Sequence, residues 1–515
     1  MTFANQLQVP PLLEPTVQNG QKIFELVPQH GETEFFPGQM SETMGFNGRY
    51  LGPTIRFSKG DDVVINVTNQ LEEVTTVHWH GMHVPAEMDG TPHQMIPVGG
   101  TWQAKYPVLN EASTMWYHPH PHGESAWQVS AGLAGLMIID DENSNSLNLP
   151  KSYGIDDIPL IVQDRLFDDS GRMIYQIANG SYYGDTILVN GTVGPFIEVP
   201  AKQVRLRLLN GSNGRIYNFG IDDNRTFYQI ATDGGLLESP APLTRLKLSP
   251  GERAEIVVDL SDGQEIMLKS YPIIDFQAVS QYFATNGARH SHFEVLKIIP
   301  DLDHPELSTQ AVDELPQTLN RIERWAAEEA DNVRTFRLAG GLTDGTVAPG
   351  PGPAFPINGR RMDMSRIDEV VMLNDVEIWE ITNAGGQPHP FHIHDIQFLI
   401  LDRDGTPPSA SESGWKDTVL VNINETVRVI TQFTTYANPD VPYMYHCHIL
   451  EHEDGGMMGQ FVVVDPNAER DQTQSLVSEV QEIAALSLLP DNFSLATPYV
   501  CELDDLSSEQ FSEDG

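Results

Sequence analysis

Short runs in which apolar and polar residues alternate recur along the chain, as in Asp62-Val63-Val64-Ile65-Asn66-Val67, Val204-Arg205-Leu206-Arg207-Leu208-Leu209 and Thr426-Val427-Arg428-Val429-Ile430. A period of two residues puts alternate side chains on a core. Bounded by turn signals, such runs predict an all-β protein. One phrase also repeats three times: a hydrophobic residue followed by Asn-Gly, then a strand that closes on an Asn. The copies run from Phe46-Asn47-Gly48 to Asn69, from Val189-Asn190-Gly191 to Asn210, and from Ile357-Asn358-Gly359 to Asn383. An internal repeat of this kind predicts three related β-sandwiches.

The length of 515 residues suits that division, because a single core stops growing well below this size. The expected domains are 1–150, 151–300 and 357–465, with a linker at 301–356 and an acidic tail at 466–515. The linker expectation rests on Gly345-Thr346-Val347-Ala348-Pro349-Gly350-Pro351-Gly352-Pro353 and on an acidic segment, Leu319 to Ala330, that reads as helical. Beyond Asp465, eleven Asp or Glu stand against a single Arg. One short helix, Ser475 to Leu489, is expected there because Leu476, Val480, Ile483 and Ala484 share a face.

A formal charge of -42, with only nine Lys, argues against nucleic acid or an anionic membrane as partner. No apolar run is long enough to span a bilayer. The first residues, Met1-Thr2-Phe3-Ala4-Asn5-Gln6, show no signal pattern, so the expectation is cytoplasmic, or periplasmic or secreted if a signal has been trimmed. The only cysteines are Cys447 and Cys501. If Cys447 binds metal, no intrachain disulfide can form.

Ten of the 17 histidines fall in four clusters: His78-Trp79-His80, His118-Pro119-His120, His389-Pro390-Phe391-His392-Ile393-His394, and His446-Cys447-His448 with His452. Strand alternation puts His78 with His80, His118 with His120, His392 with His394, and His446 with His448, so eight imidazoles can converge. Cys447 then faces the opposite way, where His389 and His452 can join it. A Cys with two His and a weak axial thioether is a blue-copper ligand set, and Met457 is placed to supply the thioether. Such adjacency lets an electron pass through the Cys447 backbone to a multinuclear site that reduces O2. Zinc, having no redox chemistry, cannot serve there.

These motifs, from about Asn47 to Asp465, resemble those of the three-domain multicopper oxidases. The resemblance implies three cupredoxin-like Greek-key β-sandwiches and four copper ions. It assigns His389, Cys447, His452 and Met457 to type 1 copper, and His78 with His392 to type 2 copper. The type 3 pair takes His80, His118 and His448 on one ion and His120, His394 and His446 on the other. The resemblance also implies that a small-molecule reductant gives up electrons one at a time while O2 becomes two waters. Asp89 and Glu453 resemble the acidic residues that deliver protons.

Phenols and other aromatic donors are the expected reductants, needing only close approach to an exposed His389 edge. The alternative is a cuprous or other metal-ion oxidase for copper tolerance. Against that, residues 301–356 contain no Met, and Gly385-Gly386-Gln387-Pro388 offers no acidic group beside His389. A different class is the three-domain scaffold that has lost its copper ligands, but here all twelve are present. His30, His83, His93, His290, His292 and His304 read as surface or turn residues, and His122 as a neighbour behind the copper ligands. The middle domain offers no ligand motif. Nothing in the sequence sets an oligomeric state.

Overall fold

In the computed structural model, residues 3–468 are described apart from 179, 201, 274–291, 302, 304–313 and 341–354. The helix expected at Ser475 to Leu489, the acidic tail and Cys501 lie outside the described residues. Among the described residues no helix is long and apolar enough to cross a membrane.

The chain forms three β-sandwiches, as expected. In the first, a sheet of Thr16–Gln18, Gln21–Leu26, Asp62–Thr68 and Thr101–Pro107 faces one of Ile55–Ser58, Gly135–Asp140, Ser113–His118 and His78–His80. Phe24, Ile65, Trp79, Met115 and Met137 fill the space between them. The second sandwich closes over Leu160, Leu206, Phe219, Ile256 and Leu296. In the third, the strands Asn332–Leu338, Val376–Asn383, Thr426–Gln432 and Leu399–Arg403 pack on a sheet built around Asn438–Cys447. Its core holds Phe336, Trp379, Phe391, Cys447 and Met457. The first strand, Asn5–Gln6, leaves chain order and pairs with Pro195–Pro200 of the second sandwich.

The threefold repeat has a hydrogen-bonding cause. Asn47, Asn190 and Asn358 all adopt positive φ, at 54°, 49° and 51°, a region that Asn tolerates better than most residues. Each then bonds back to a segment earlier in the chain. Their Oδ1 atoms accept from the backbone N–H of Val27, Ile161 and Arg337, and their Nδ2 atoms donate to the carbonyls of Glu25, Pro159 and Thr335. The closing asparagines act alike. Asn69, Asn210 and Asn383 each accept from the N–H two residues on and donate to two backbone carbonyls.

Two expectations for residues 301–356 give way. The segment Leu319 to Ala330 is helical only over the 3-10 turn Ala327–Glu329. The spacing of Leu319, Ile322 and Trp325 instead serves an extended strap: Leu319 packs with Ile230 and Leu236 of the second sandwich, and Ile322 and Trp325 with Val376 and Ile430 of the third. Its backbone bonds elsewhere, as Leu319 N–H donates to Glu238 and Leu319 C=O accepts from Asn143. Within the expected linker, Asn332–Leu338 is a strand of the third sandwich, paired in parallel with Val376–Asn383.

Replacing Asn210 with Ala leaves two buried carbonyls and a buried N–H unpaired, at a cost of about 1–3 kcal/mol each. Calorimetry is expected to show a melting temperature several degrees lower; an unchanged one contradicts the role assigned to these asparagines.

Candidate functional site

The strand Asn438–Cys447 lies inside its sheet, between Met458–Val464 and His389–Ile393. The register sets Cys447 opposite Phe391 and His446 opposite His392. Because neighbours along a strand face opposite ways, the Cys447 sulfur enters the core of the third sandwich, and His446 leaves it. Two buried clusters result, one on each side of this sheet.

On the core side, Cys447 Sγ lies 3.4 Å from His389 Nδ1 and 3.6 Å from His452 Nδ1, and those two nitrogens are 3.2 Å apart. The short helix Leu450–Asp454 carries His452 back onto the strand end. Met457 is buried in the same core, and its carbonyl accepts from the Cys447 N–H at 3.0 Å. Burial holds His389 down at about 3, lowers His452 well below the ordinary histidine range and raises the Cys447 thiol. Both imidazoles are therefore neutral with a lone pair to give, and the thiol becomes a ligand by losing its proton to a metal.

The outer side of this cluster departs from expectation. His389 is fully buried rather than exposed at an edge, and so is His452. Phe355 stacks on the His452 ring at 3.9 Å, the Gln387 amide lies 2.6 Å from its Nε2, and Ser181 of the second sandwich lies 3.3 Å away. A Cβ on Gly385 would stand 3.1 Å from His389 Nε2.

On the other side, eight imidazoles from four segments converge: His78, His80, His118 and His120 from the first sandwich, His392, His394, His446 and His448 from the third. All eight are buried, at 1% exposure or less. His446 Nε2 lies 3.2 Å from the Nε2 of both His120 and His394, and His448 Nε2 lies 3.3 Å from His80 Nδ1. The Nε2 atoms of His78, His118 and His392 are buried without any partner. Orphaned, close-set nitrogens of this kind are costly unless a cation takes their lone pairs, so the residues present fit a cluster of imidazole-bound metal ions.

Groups behind the rings fix which nitrogen faces inward. Nδ1 of His78 donates to the Asp89 carbonyl, and Nδ1 of His394 to Asp89 Oδ2 at 2.7 Å. Glu453 reaches Nδ1 of both His120 and His446 at 3.2 Å. The structure thus brings every candidate ligand and both candidate carboxylates into or against these two clusters.

Sequence reasoning missed Asp417. Its Oδ1 lies 2.9 Å from His80 Nε2, and its carbonyl 2.8 Å from His392 Nδ1. Nothing in the His spacing points to it; the one signal is an acidic residue opening the buried strand Thr418–Val421. The middle sandwich also reaches the site, through Ser181, Gly251 and Arg253. His122 is exposed, and therefore does not back the ligands. His83 is not a plain surface residue, since it sits within 2.8 Å of the buried Asp395 carboxylate, which raises its pKa against the effect of burial.

Burial first, and then neighbouring imidazoles, hold His80, His118, His120, His392, His394 and His448 well below the usual histidine value of 6.5. In the fold they stay neutral, whereas the unfolded chain takes up protons below pH 6.5. Their contribution to stability is therefore full above that pH and lost as pH falls, by about 1.4 kcal/mol per pH unit for each group. Metal-free protein is expected to melt progressively lower between about pH 7.5 and 5.5. A flat profile contradicts the neutral cluster.

Family models described as multicopper oxidase match residues 29–144, 146–288 and 335–467. The multicopper oxidase Mco of Staphylococcus aureus is 38% identical over 466 residues, covering 89% of this chain and 92% of that protein. Cell division protein FtsP of Pectobacterium atrosepticum is 36% identical over 469 residues, covering 89% of this chain and 92% of that protein. Among solved structures, a laccase-like multicopper oxidase, CueO, from a lignin-degrading Ochrobactrum aligns with a TM-score of 0.79 at 36% identity, over 89% of this chain and 100% of that one. On its three matching domains and on these relatives, the chain belongs to the multicopper oxidase family, whose cofactor is copper and whose electron acceptor is O2.

Proposed function

We propose that this chain is a laccase-like oxidase, taking four electrons singly from phenolic or other aromatic reductants and using them, with four protons, to turn O2 into two waters. Cys447, His389, His452 and Met457 would hold a type 1 copper, and His78 with His392 a type 2 copper. His80, His118 and His448 would hold one ion of a type 3 pair, and His120, His394 and His446 the other. When bound, copper supplies the one-electron steps and the open coordination positions that O2 reduction needs.

The observation that carries this reading is the position of Cys447. Its sulfur faces His389 and His452, while the flanking His446 and His448 face the other cluster. A few covalent bonds of one strand end therefore join the two clusters. The chain's remaining work is to seal, orient and protonate. Burial of all eight imidazoles excludes bulk water, so protons have to come from fixed groups. Asp89, against His394 and His78, and Glu453, between His120 and His446, are the carboxylates placed to hold them.

Two features favour an organic reductant over a metal ion. Residues 301–356 contain no Met, and Gly385 stands where a side chain would meet His389 Nε2. Neither offers a soft or anionic ligand to a cuprous ion. A donor that only passes electrons needs no ligand at all, which suits a type 1 set whose imidazoles are both covered.

Copper-loaded protein is expected to be blue, from charge transfer between the Cys447 thiolate and copper, and to take up O2 faster with a phenol than with Cu(I) at matched concentrations. Colourless copper-replete protein undoes the oxidase reading and leaves a scaffold role; preference for Cu(I) replaces the laccase reading with a metal-ion oxidase. Asp89→Asn and Glu453→Gln are each expected to stay blue while O2 turnover falls by about 100-fold or more. Turnover equal to wild type removes the proton-delivery role.

A further inference from the structure

Seven of the eight clustered imidazoles turn Nδ1 away from the cluster or leave Nε2 facing it; His80 alone is reversed. Its Nδ1 faces His448 at 3.3 Å, and its Nε2 points outward to Asp417 Oδ1 at 2.9 Å. For His78, His118, His392 and His446 the outward atom is Nδ1, held by a backbone carbonyl, which cannot swing away. The acceptor for His80 is a side chain, and a buried carboxylate keeps its place and its charge only if something else grips it.

Arg253 does so. Its Nη1 donates to Asp417 Oδ1 at 2.7 Å and its Nη2 to Asp417 Oδ2 at 2.6 Å, a two-pronged grip. The other donors are equally occupied: Nε on the Thr114 carbonyl, Nη1 on that of Gly251 and Nη2 on that of Asp233. All five N–H groups of a fully buried guanidinium are thus used, and they touch all three sandwiches: Thr114 in the first, Gly251 and Asp233 in the second, Asp417 in the third. The same turn makes a second approach. Gly251, at φ +84°, lies so close that a Cβ there would be 2.8 Å from His448 Cδ2.

We propose that Arg253 of the ligand-free middle sandwich is a positioning residue for the histidine cluster, setting through Asp417 which nitrogen His80 presents. The inference rests on the copper-holding role proposed above. Without the fork, the Asp417 carboxylate loses both of its hydrogen bonds from the guanidinium and keeps only that from Thr418 Oγ1, so its hold on the His80 ring, shared with Thr418 Oγ1 at 3.3 Å, is loosened. Lysine keeps the charge but, as a single point donor, cannot hold both oxygens in one plane.

Arg253→Lys separates this from a merely structural ion pair, because it leaves the buried charge in place. Copper content, the electron paramagnetic resonance of type 2 copper and the near-ultraviolet band of the type 3 pair are recorded beside the blue type 1 band, with the melting temperature of metal-free protein as control. The expected result is about 10- to 100-fold weaker retention of the histidine-cluster coppers, with the type 1 band and the metal-free melting temperature close to wild type. Unchanged retention overturns the proposal. So does loss of both copper populations in step with a lower metal-free melting temperature, which marks a structural role alone. Wild-type protein that binds no copper at all removes the copper-holding role itself, and the positioning role with it.

Discussion

Eight imidazoles packed into one dry space can coexist only if positive charge does not build up among them and all aim lone pairs at the same place, and the rest of the architecture serves that requirement. Charging several of them would bury like charges side by side, which the low-dielectric interior does not tolerate. Neutrality alone is not enough, since each ring has two nitrogens. Backbone carbonyls hold Nδ1 of His78, His118, His392 and His446, while Asp89 holds His394 and Glu453 lies against His120. Asp417 holds the reversed ring of His80. Acidic residues near the cluster therefore set which nitrogen a ring turns inward.

A cluster shared between the first and third sandwiches also needs those bodies fixed to within fractions of an ångström. Much of that fixing comes from the second. Within it, Arg207 bridges Asp157 and Glu255, and Arg207 and Glu255 both bond Thr114 of the first, all of them buried. Between it and the third, Lys416 joins Asp233 and Glu252, beside the Arg253 fork on Asp417. Buried ion pairs of this kind return little net stability, because desolvation offsets their attraction; what they return is a single arrangement, since any slippage strands a charge. The strap from Leu319 to Trp325 adds an apolar tie between the second and third bodies.

The two clusters differ in how they meet the outside. The Cys447 cluster is lidded by Phe355, Gln387 and Ser181, so its covering comes from three distant parts of the chain, one of them in the second sandwich. A ring and an amide thus close the outer side of the His452 imidazole. The same sealing keeps the thiol and both imidazoles uncharged until metal arrives.

Much of this was legible in the amino-acid order because it depends on local rules. Strand alternation alone separates Cys447 from His446 and His448, and the spacing of two between paired histidines puts them on one face. The Asn-Gly repeat marks three turns because Asn tolerates the positive φ they require, and the side chains of Asn47, Asn190 and Asn358 close the same bonds in each copy. What only the tertiary structure decided is whatever depends on partners distant in the chain. Leu319, Ile322 and Trp325 have helical spacing, yet each finds its burial on another body, and a strap results. His389 reads as an exposed electron port, yet the folded chain buries it. Asp417 and Arg253 look like ordinary charged residues of strand and turn, and 164 positions separate them. Periodicity cannot show that such a pair will meet in a water-free space, where each charge is stable only because the other is there.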